Sequence, residues 1–331
     1  MHTVPINLTL ENIWRSWWRF RRGKRRTQEL DTWQYYLEDN LFRLNTDLNN
    51  GVYRHGSYRR FTVSDTKRRD IAVASVRDRV VHRLIYDYLV GIFDKTFIYD
   101  AWSCRKGKGL LGAIVRSQES LHSFPHGYVW RADITKFFDH VQHVTLRYCL
   151  RRKISDLKTL GLLDGIIASY SFGSHYERER ALAPRIGLPI GNLTSQIFAN
   201  IYFNEFDRFI VHTLKPHRYL RYGDDFILLD SRREKVSVMK QQSIAFLQTK
   251  LGLAINRKND IIVPVKSGIH FLGVEIFPSG RRLKQQNWER LRRRLAHHNI
   301  PSYYGLVNKH AGKKQIKYFD WLIIKHYEKF F

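Results

Sequence analysis

Two adjacent carboxylates, Asp224 and Asp225, follow Tyr222-Gly223 and lie between Leu220-Arg221 and the apolar run Phe226-Ile227-Leu228-Leu229. Such a pair can close a hairpin, because Gly and Asp suit tight turns, or it can hold a divalent cation. A third carboxylate, Asp133, ends the strand-like stretch His126–Ala132, before Ile134-Thr135-Lys136-Phe137-Phe138-Asp139 turns into a helix. If neighbouring strands bring Asp133 beside Asp224, the acids could share two ions about 3.5–4 Å apart. One ion would activate an attacking hydroxyl and the other would steady a leaving pyrophosphate. Carboxylates are hard oxygen donors and the histidines lack ligand spacing, so magnesium is expected rather than zinc, with manganese as its substitute.

The chain that must position these acids has 331 residues, 43% of them hydrophobic, enough for two or three lobes. Lys and Arg number 57 against 30 acids, a net charge of +27 carried in every quarter of the chain. That balance points to a polyanion as partner. No long uncharged apolar stretch or lipidation signal is present, which argues against a membrane. The start, Met1-His2-Thr3-Val4-Pro5, has no secretory pattern. The expected location is therefore the cytoplasm. Cys104 and Cys149 are too few for a disulfide framework or a cysteine zinc site and are expected as free thiols.

Periodicity supplies the elements. Residues 8–50 read as helical, with Leu8, Leu10, Ile13, Trp14, Trp17 and Trp18 on one side, followed by the cluster Arg19, Arg21, Arg22, Lys24, Arg25 and Arg26. The cluster is either a solvated face or a nucleic-acid contact, and the Trp-rich helix either docks a partner or packs inward. Residues 51–72 read as a basic hairpin, and Val76–Phe93 as a helix. The loop Cys104-Arg105-Lys106-Gly107-Lys108-Gly109 offers cations and close backbone approach, but it lacks the Gly-Lys-Ser/Thr ending of a P-loop. Further on come a loop at 185–193, a helix from Thr194, strands around the acid pair, a helix over 233–251 and an extended pair near 261–277. Residues 284–331 are basic and mostly helical.

At this level of detail the sequence resembles a reverse transcriptase. Val129-Trp130-Arg131-Ala132-Asp133-Ile134-Thr135-Lys136-Phe137-Phe138-Asp139 is similar to the first palm aspartate motif of that family, and Tyr222-Gly223-Asp224-Asp225 to its signature acid pair. The resemblance implies metal ligation by Asp133, the Ile134 backbone carbonyl and Asp224, with Asp225 completing the catalytic set. It makes Phe138 the aromatic residue that leaves no room for a ribose 2′-hydroxyl, while Phe137 belongs to the core. Lys67 and Arg69 match residues that grip an incoming triphosphate, and Lys258, in Leu251–Lys258, matches one that aids pyrophosphate departure. Gly273 in Phe271-Leu272-Gly273 matches a primer-grip turn. Primer or template contacts are further implied at Arg105, Lys106, Lys108, Gln196 and Tyr222, and at Arg77 and Arg79, which could instead be local ion-pair partners beside Asp78.

The segment Arg185–Gln196 narrows the resemblance to reverse transcriptases of diversity-generating retroelements, since Ile190 stands where intron and retroviral enzymes carry glutamine. In those enzymes template RNA is copied with frequent errors at adenines. An apolar Ile190 would remove a directional contact to the nucleotide and weaken discrimination, or it could simply pack against Leu188 or Phe198. Gly191 would let the loop approach the template base, and Asn192 would either fix the turn or contact nucleotide. Gly223 departs from the bulkier residue usual in this subgroup.

The implied fold is α+β, a right-hand polymerase with fingers, an antiparallel palm sheet backed by helices, and a short helical thumb. The expected division is a basic N-terminal helical extension over 1–50, fingers over 51–125, palm with part of the fingers inserted over 126–278, and thumb over 279–331. With no Cys/His nuclease cluster and an end soon after the thumb, no appended maturase or endonuclease domain is expected. The implied partners are template RNA, an RNA–DNA duplex, deoxynucleoside triphosphates and a basic oligomeric accessory protein. The rival readings are a group II intron-like, retron or CRISPR-associated enzyme of ordinary fidelity, and an RNA-binding scaffold that has lost catalysis.

Overall fold

The computed structural model describes residues 4–64, 68–172 and 185–327. The first helix, α1 (Leu10–Arg21), begins at Thr9, whose side chain accepts from the Asn12 backbone N–H, and it buries Ile13, Ser16, Trp17 and Phe20 at helical spacing. Trp14 and Trp18 instead remain exposed and meet edge to face at 6.1 Å. The tryptophans thus divide between two faces rather than sharing one, because a shift of one residue turns a helix by about 100°. Helices α2 (Gln28–Tyr35) and α3 (Leu37–Asn49) follow, then the hairpin of β1 (Arg59–Ser64) and β2 (Arg68–Val73). Helix α4 (Val76–Phe93) is capped by Ser75 and is inserted through Val80, Val81, Leu84, Ile85 and Leu89.

Next in order are α5 (Leu110–Ser123), β3 (Tyr128–Ala132), the single turn α6 (Phe137–His140), α7 (His143–Arg151), α8 (Leu157–Ala168) and α9 (Leu193–Arg208). Strands β4 (Arg218–Tyr222) and β5 (Asp225–Asp230) lead into α10 (Arg233–Leu251). The chain continues through β6 (Ile261–Pro264), β7 (Ile269–Phe271), β8 (Val274–Phe277) and β9 (Gly280–Leu283). It closes with α11 (Gln285–Arg294), α12 (Ile300–His310) and α13 (Lys313–Tyr327).

These elements form two compact units. The first comprises Met1–Tyr99, Ile134–Phe209 and Ile244–Ala254, and the second Asp100–Asp133, Ile210–Ser243 and Ile255–Phe331. In the first, α4 is covered by α1, α2 and α9, and the hairpin β1–β2 pairs from Arg59↔Val73 to Ser64↔Arg68. The second holds a four-stranded antiparallel sheet in the order β4-β5-β3-β6 and a three-stranded sheet β7-β8-β9. Its core joins Val129, Leu220, Ile227 and Leu229 of the larger sheet to Ile114 and Leu121 of α5 and to Phe271, Val274 and Ile276 of the smaller sheet. The fold is α+β, an antiparallel core flanked by helices, as the motifs imply.

Candidate active site

Strand β3 is apolar apart from Arg131, and its pairing with β5 ends at Ala132↔Phe226. Asp133 is the next residue, so the ladder delivers it to the end of the sheet where β5 begins with Asp225. On the other side of β5, Tyr222 pairs with Asp225, which leaves Gly223 and Asp224 as a two-residue loop. Gly223 takes φ +67°, the backbone that a II′ hairpin turn requires at its first central position. A Cβ there would meet nothing nearer than Ser103 Oγ at 3.9 Å, so conformation rather than space calls for glycine. Arg221, only 1% exposed, donates from Nη1 to the Gly223 carbonyl at 2.9 Å and fixes the turn from beneath.

The acids are held differently. Asp225 Oδ1 lies 3.3 Å from Arg131 Nη2. Asp133, 8% exposed, accepts from Asn259 Nδ2 on Oδ1 at 2.9 Å and from Asn256 Nδ2 on Oδ2 at 3.3 Å. Burial, with Arg131 nearby, pushes the Lys284 ammonium below the ordinary lysine range, while Asp225 and Glu275 oppose that shift. Burial, helped by Cys104, pushes the Tyr222 phenol up. Among the described residues no three or more His, Cys, Asp or Glu side chains gather as metal ligands. The oxygen-only donors at this strand end suit a cation such as magnesium, which proteins commonly bind through one or two carboxylates plus substrate phosphates.

Around this centre, Arg105 donates to the Ala101 carbonyl at 3.1 Å, Lys108 sits over the Trp102 ring at 4.0 Å, and Lys106 is exposed. Lys258 is exposed beside Asn259. Gly273 (φ +87°) and Leu272 (φ +50°) make the tight β7–β8 turn, with the Gly273 carbonyl taking the Asn287 amide at 2.7 Å.

In the first unit the structure gathers Ile190, Gly191 and Asn192 against β2. The Ile190 carbonyl accepts from the Ala72 N–H at 3.0 Å, and the Asn192 amide donates to the Ala72 carbonyl at 2.6 Å while accepting from the Ala74 N–H at 3.2 Å. These hydrogen bonds make Asn192 a tie between the loop and the hairpin strand. Gly191 (φ +113°) brings the loop close to Ile71, 2.9 Å from where a Cβ would stand. Phe137 is core, packed on Phe203, and Phe138 is half-buried. Arg69 and Gln196 are exposed. Arg77 pairs with Asp47 at 2.7 Å and Arg79 with Glu29 at 3.3 Å, partners remote in the chain. Lys67 lies outside the described residues.

Asn256, Asn259, Arg221 and Arg131 are absent from the sequence expectations. Arg131 carried a signal, a charge inside an otherwise apolar strand, whereas Arg221 shares β4 with Arg218. Asn256 lies within the Leu251–Lys258 motif and Asn259 just after it, but neither is given a role there.

Residues 60–276 match the family model described as "Reverse transcriptase (RNA-dependent DNA polymerase)". Protein YkfC of Escherichia coli is 26% identical over 267 residues, 70% of this chain and 69% of that protein. The group II intron-encoded protein LtrA of Lactococcus lactis is 21% identical over 315 residues, 74% of this chain and 51% of LtrA, so the chain spans about half of that relative. Intron proteins of Saccharomyces cerevisiae and Schizosaccharomyces pombe match at 20–27% identity. Among solved structures, telomerase from Candida albicans gives a TM-score of 0.49 at 12% identity, covering 77% of this chain and 50% of that one.

These matches overturn the assignment to diversity-generating retroelements, since the relatives besides YkfC are intron proteins, LtrA among them. The subgroup reading rested chiefly on the Ile190 side chain; what the structure shows at this position is that the Ile190 carbonyl and Asn192 hold the loop to β2. Among the described residues no helix is long and apolar enough to cross a membrane.

Proposed function

This chain belongs to the reverse transcriptase family of RNA-dependent DNA polymerases, and on that footing we propose that it copies RNA into complementary DNA as a group II intron-like enzyme. The observation that supports the proposal is the strand register, in which Asp133 follows the last β3–β5 pair, Ala132↔Phe226, at the sheet end where the Gly223-Asp224-Asp225 turn lies. In the reaction a primer 3′-hydroxyl attacks the α-phosphate of a deoxynucleoside triphosphate and pyrophosphate leaves. Asp133, the Ile134 carbonyl and Asp224 would hold two magnesium ions, which supply charge neutralisation and a more acidic hydroxyl. Asp225 stays at the site through Arg131, and Arg221 keeps the turn in shape.

The nucleotide-facing roles of Lys67, Arg69, Phe138, Ile190 and Lys258 belong to the same proposal, as do the nucleic-acid contacts at Arg105, Lys106, Lys108, Gln196, Tyr222 and Gly273. A structured intron-type RNA is the proposed template and partner, and a charge of +27 suits its backbone. Primer extension on an RNA template, with magnesium and the four deoxynucleotides, tests the reading. Extension is expected from the parent chain and reduced to background in Asp133→Ala and Asp224→Ala. A parent chain that adds no nucleotide, or an Asp224→Ala variant as active as the parent, would sink it.

A further inference from the structure

We propose that Asn256 and Asn259 are positioning residues that hold the Asp133 carboxylate in the orientation from which it binds a divalent cation. The inference rests on the polymerase reading above and assigns these two side chains a part in it. Asn259 donates to one carboxylate oxygen at 2.9 Å and Asn256 to the other at 3.3 Å, while the Asn256 backbone N–H donates to the Asp133 carbonyl at 2.9 Å. One short turn therefore grips Asp133 at both ends, by main chain and by side chain.

The terminal torsion of an aspartate is broad and soft, so an amide on each oxygen fixes what rotation would otherwise blur. Each carboxylate oxygen has more than one acceptor direction, which leaves a lone pair on each for a metal ion. The neutrality of the donors matters too. An ammonium or guanidinium would compete with the cation for the carboxylate, whereas an amide orients the charge without cancelling it.

The turn is itself held on both sides. The Asn259 N–H donates to the Asn256 carbonyl at 3.0 Å, and the Lys258 N–H to Asn256 Oδ1 at 3.2 Å. Next in the chain, Asp260 accepts from the Trp130 indole N–H at 2.8 Å and pairs with Lys240 at 2.7 Å. Trp130 is fully buried on β3, the strand that ends at Asp133. Donors and acceptor are thus fastened to the same strand, which is how supporting contacts keep a ligand in register with its metal.

The test is a Mn2+ titration of the full chain, followed by electron paramagnetic resonance, with no nucleotide or nucleic acid added. Asn259→Leu should weaken Mn2+ binding on the order of 10-fold or more, and Asn256→Ala by less, as its longer bond implies. Circular dichroism and melting temperature should stay those of the parent. In an Asp133→Asn background, Asn259→Leu should cause no further loss. If Asn259→Leu does not fold, Asn259→Ser carries the same cycle. The proposal is overturned if the Asn259→Leu titration superimposes on the parent's, if its loss persists in full beside Asp133→Asn, or if the parent shows no saturable binding that Asp133→Asn weakens. A parent in which Asn259 and Asp133 are coupled, yet which extends no primer, supports the positioning role and removes the polymerase reading instead.

Discussion

Gly191 and Gly223 both adopt positive φ, at +113° and +67°, but their surroundings differ. A side chain on Gly223 would enter open space, with Ser103 Oγ 3.9 Å away, whereas one on Gly191 would press on Ile71 Cγ2 at 2.9 Å. The acid turn is thus dictated by backbone conformation alone, and the loop on the hairpin by conformation and proximity together. Open space around Gly223 is what the proposed metal site would need. A loop that fastens one strand to another uses closeness as its means.

Substitution should magnify the contrast. Gly191→Val combines left-handed strain with overpacking and is expected to cost about 2–5 kcal/mol, read from urea unfolding; a loss under about 1 kcal/mol would show that the loop is not held by contact. Asn192→Ala strands the Ala72 carbonyl and the Ala74 N–H, both in a buried setting, and should cost about 2–3 kcal/mol. Gly223→Ala should cost only about 1–2 kcal/mol, while primer extension falls further than that loss of stability explains. Equal destabilisation by Gly191→Val and Gly223→Ala would erase the distinction.

The smallest effect at neutral pH comes from His82, in the same unit as Gly191. Burial pushes its imidazole down to about 3, with His55 and Arg79 adding and Asp78 opposing. Its Nδ1 lies 2.6 Å from Thr194 Oγ1, next to the loop that Asn192 clips. The folded value lies below the unfolded one, so the unfolded chain takes the proton first. The contribution is therefore whole above pH about 6.5 and shrinks as pH falls toward 3. Melting temperature should drop between pH 7 and 4, and His82→Asn should flatten that part of the profile; parallel profiles would exclude His82 as the cause.

Much of this was legible in the amino-acid order. The spacing of Val80, Val81, Leu84, Ile85 and Leu89 marks α4, and the apolar runs flanking Gly223 mark the β4–β5 hairpin, because each signal is contained within its own segment. Asp133 and the acid pair could be read for the same reason. What escaped depends on partners remote in the chain. Asn256 and Asn259 carry no sign of their role until β3 brings Asp133 to them, and Asn192 keeps two readings, turn fixing or nucleotide contact, until β2 lies beside it. The face of α1 that buries Trp17 was blurred because three tryptophans lie close together and only the packing of Trp17 on Trp33, at 4.7 Å, separates them. The subgroup drawn from Ile190 was over-read, since the matching relatives include intron-encoded proteins.

Arg221 links two parts of the second unit that the chain order keeps far apart. Its N–H donates to the Asp100 carbonyl and its own carbonyl accepts from the Trp102 N–H, both at 2.9 Å, while its guanidinium reaches the Gly223 carbonyl. The strip that leads into the cationic loop Arg105–Lys108 is therefore zipped alongside the strand that ends in the acids. If a polyanion binds that loop as proposed, its pull would reach the floor of the acid turn along this seam.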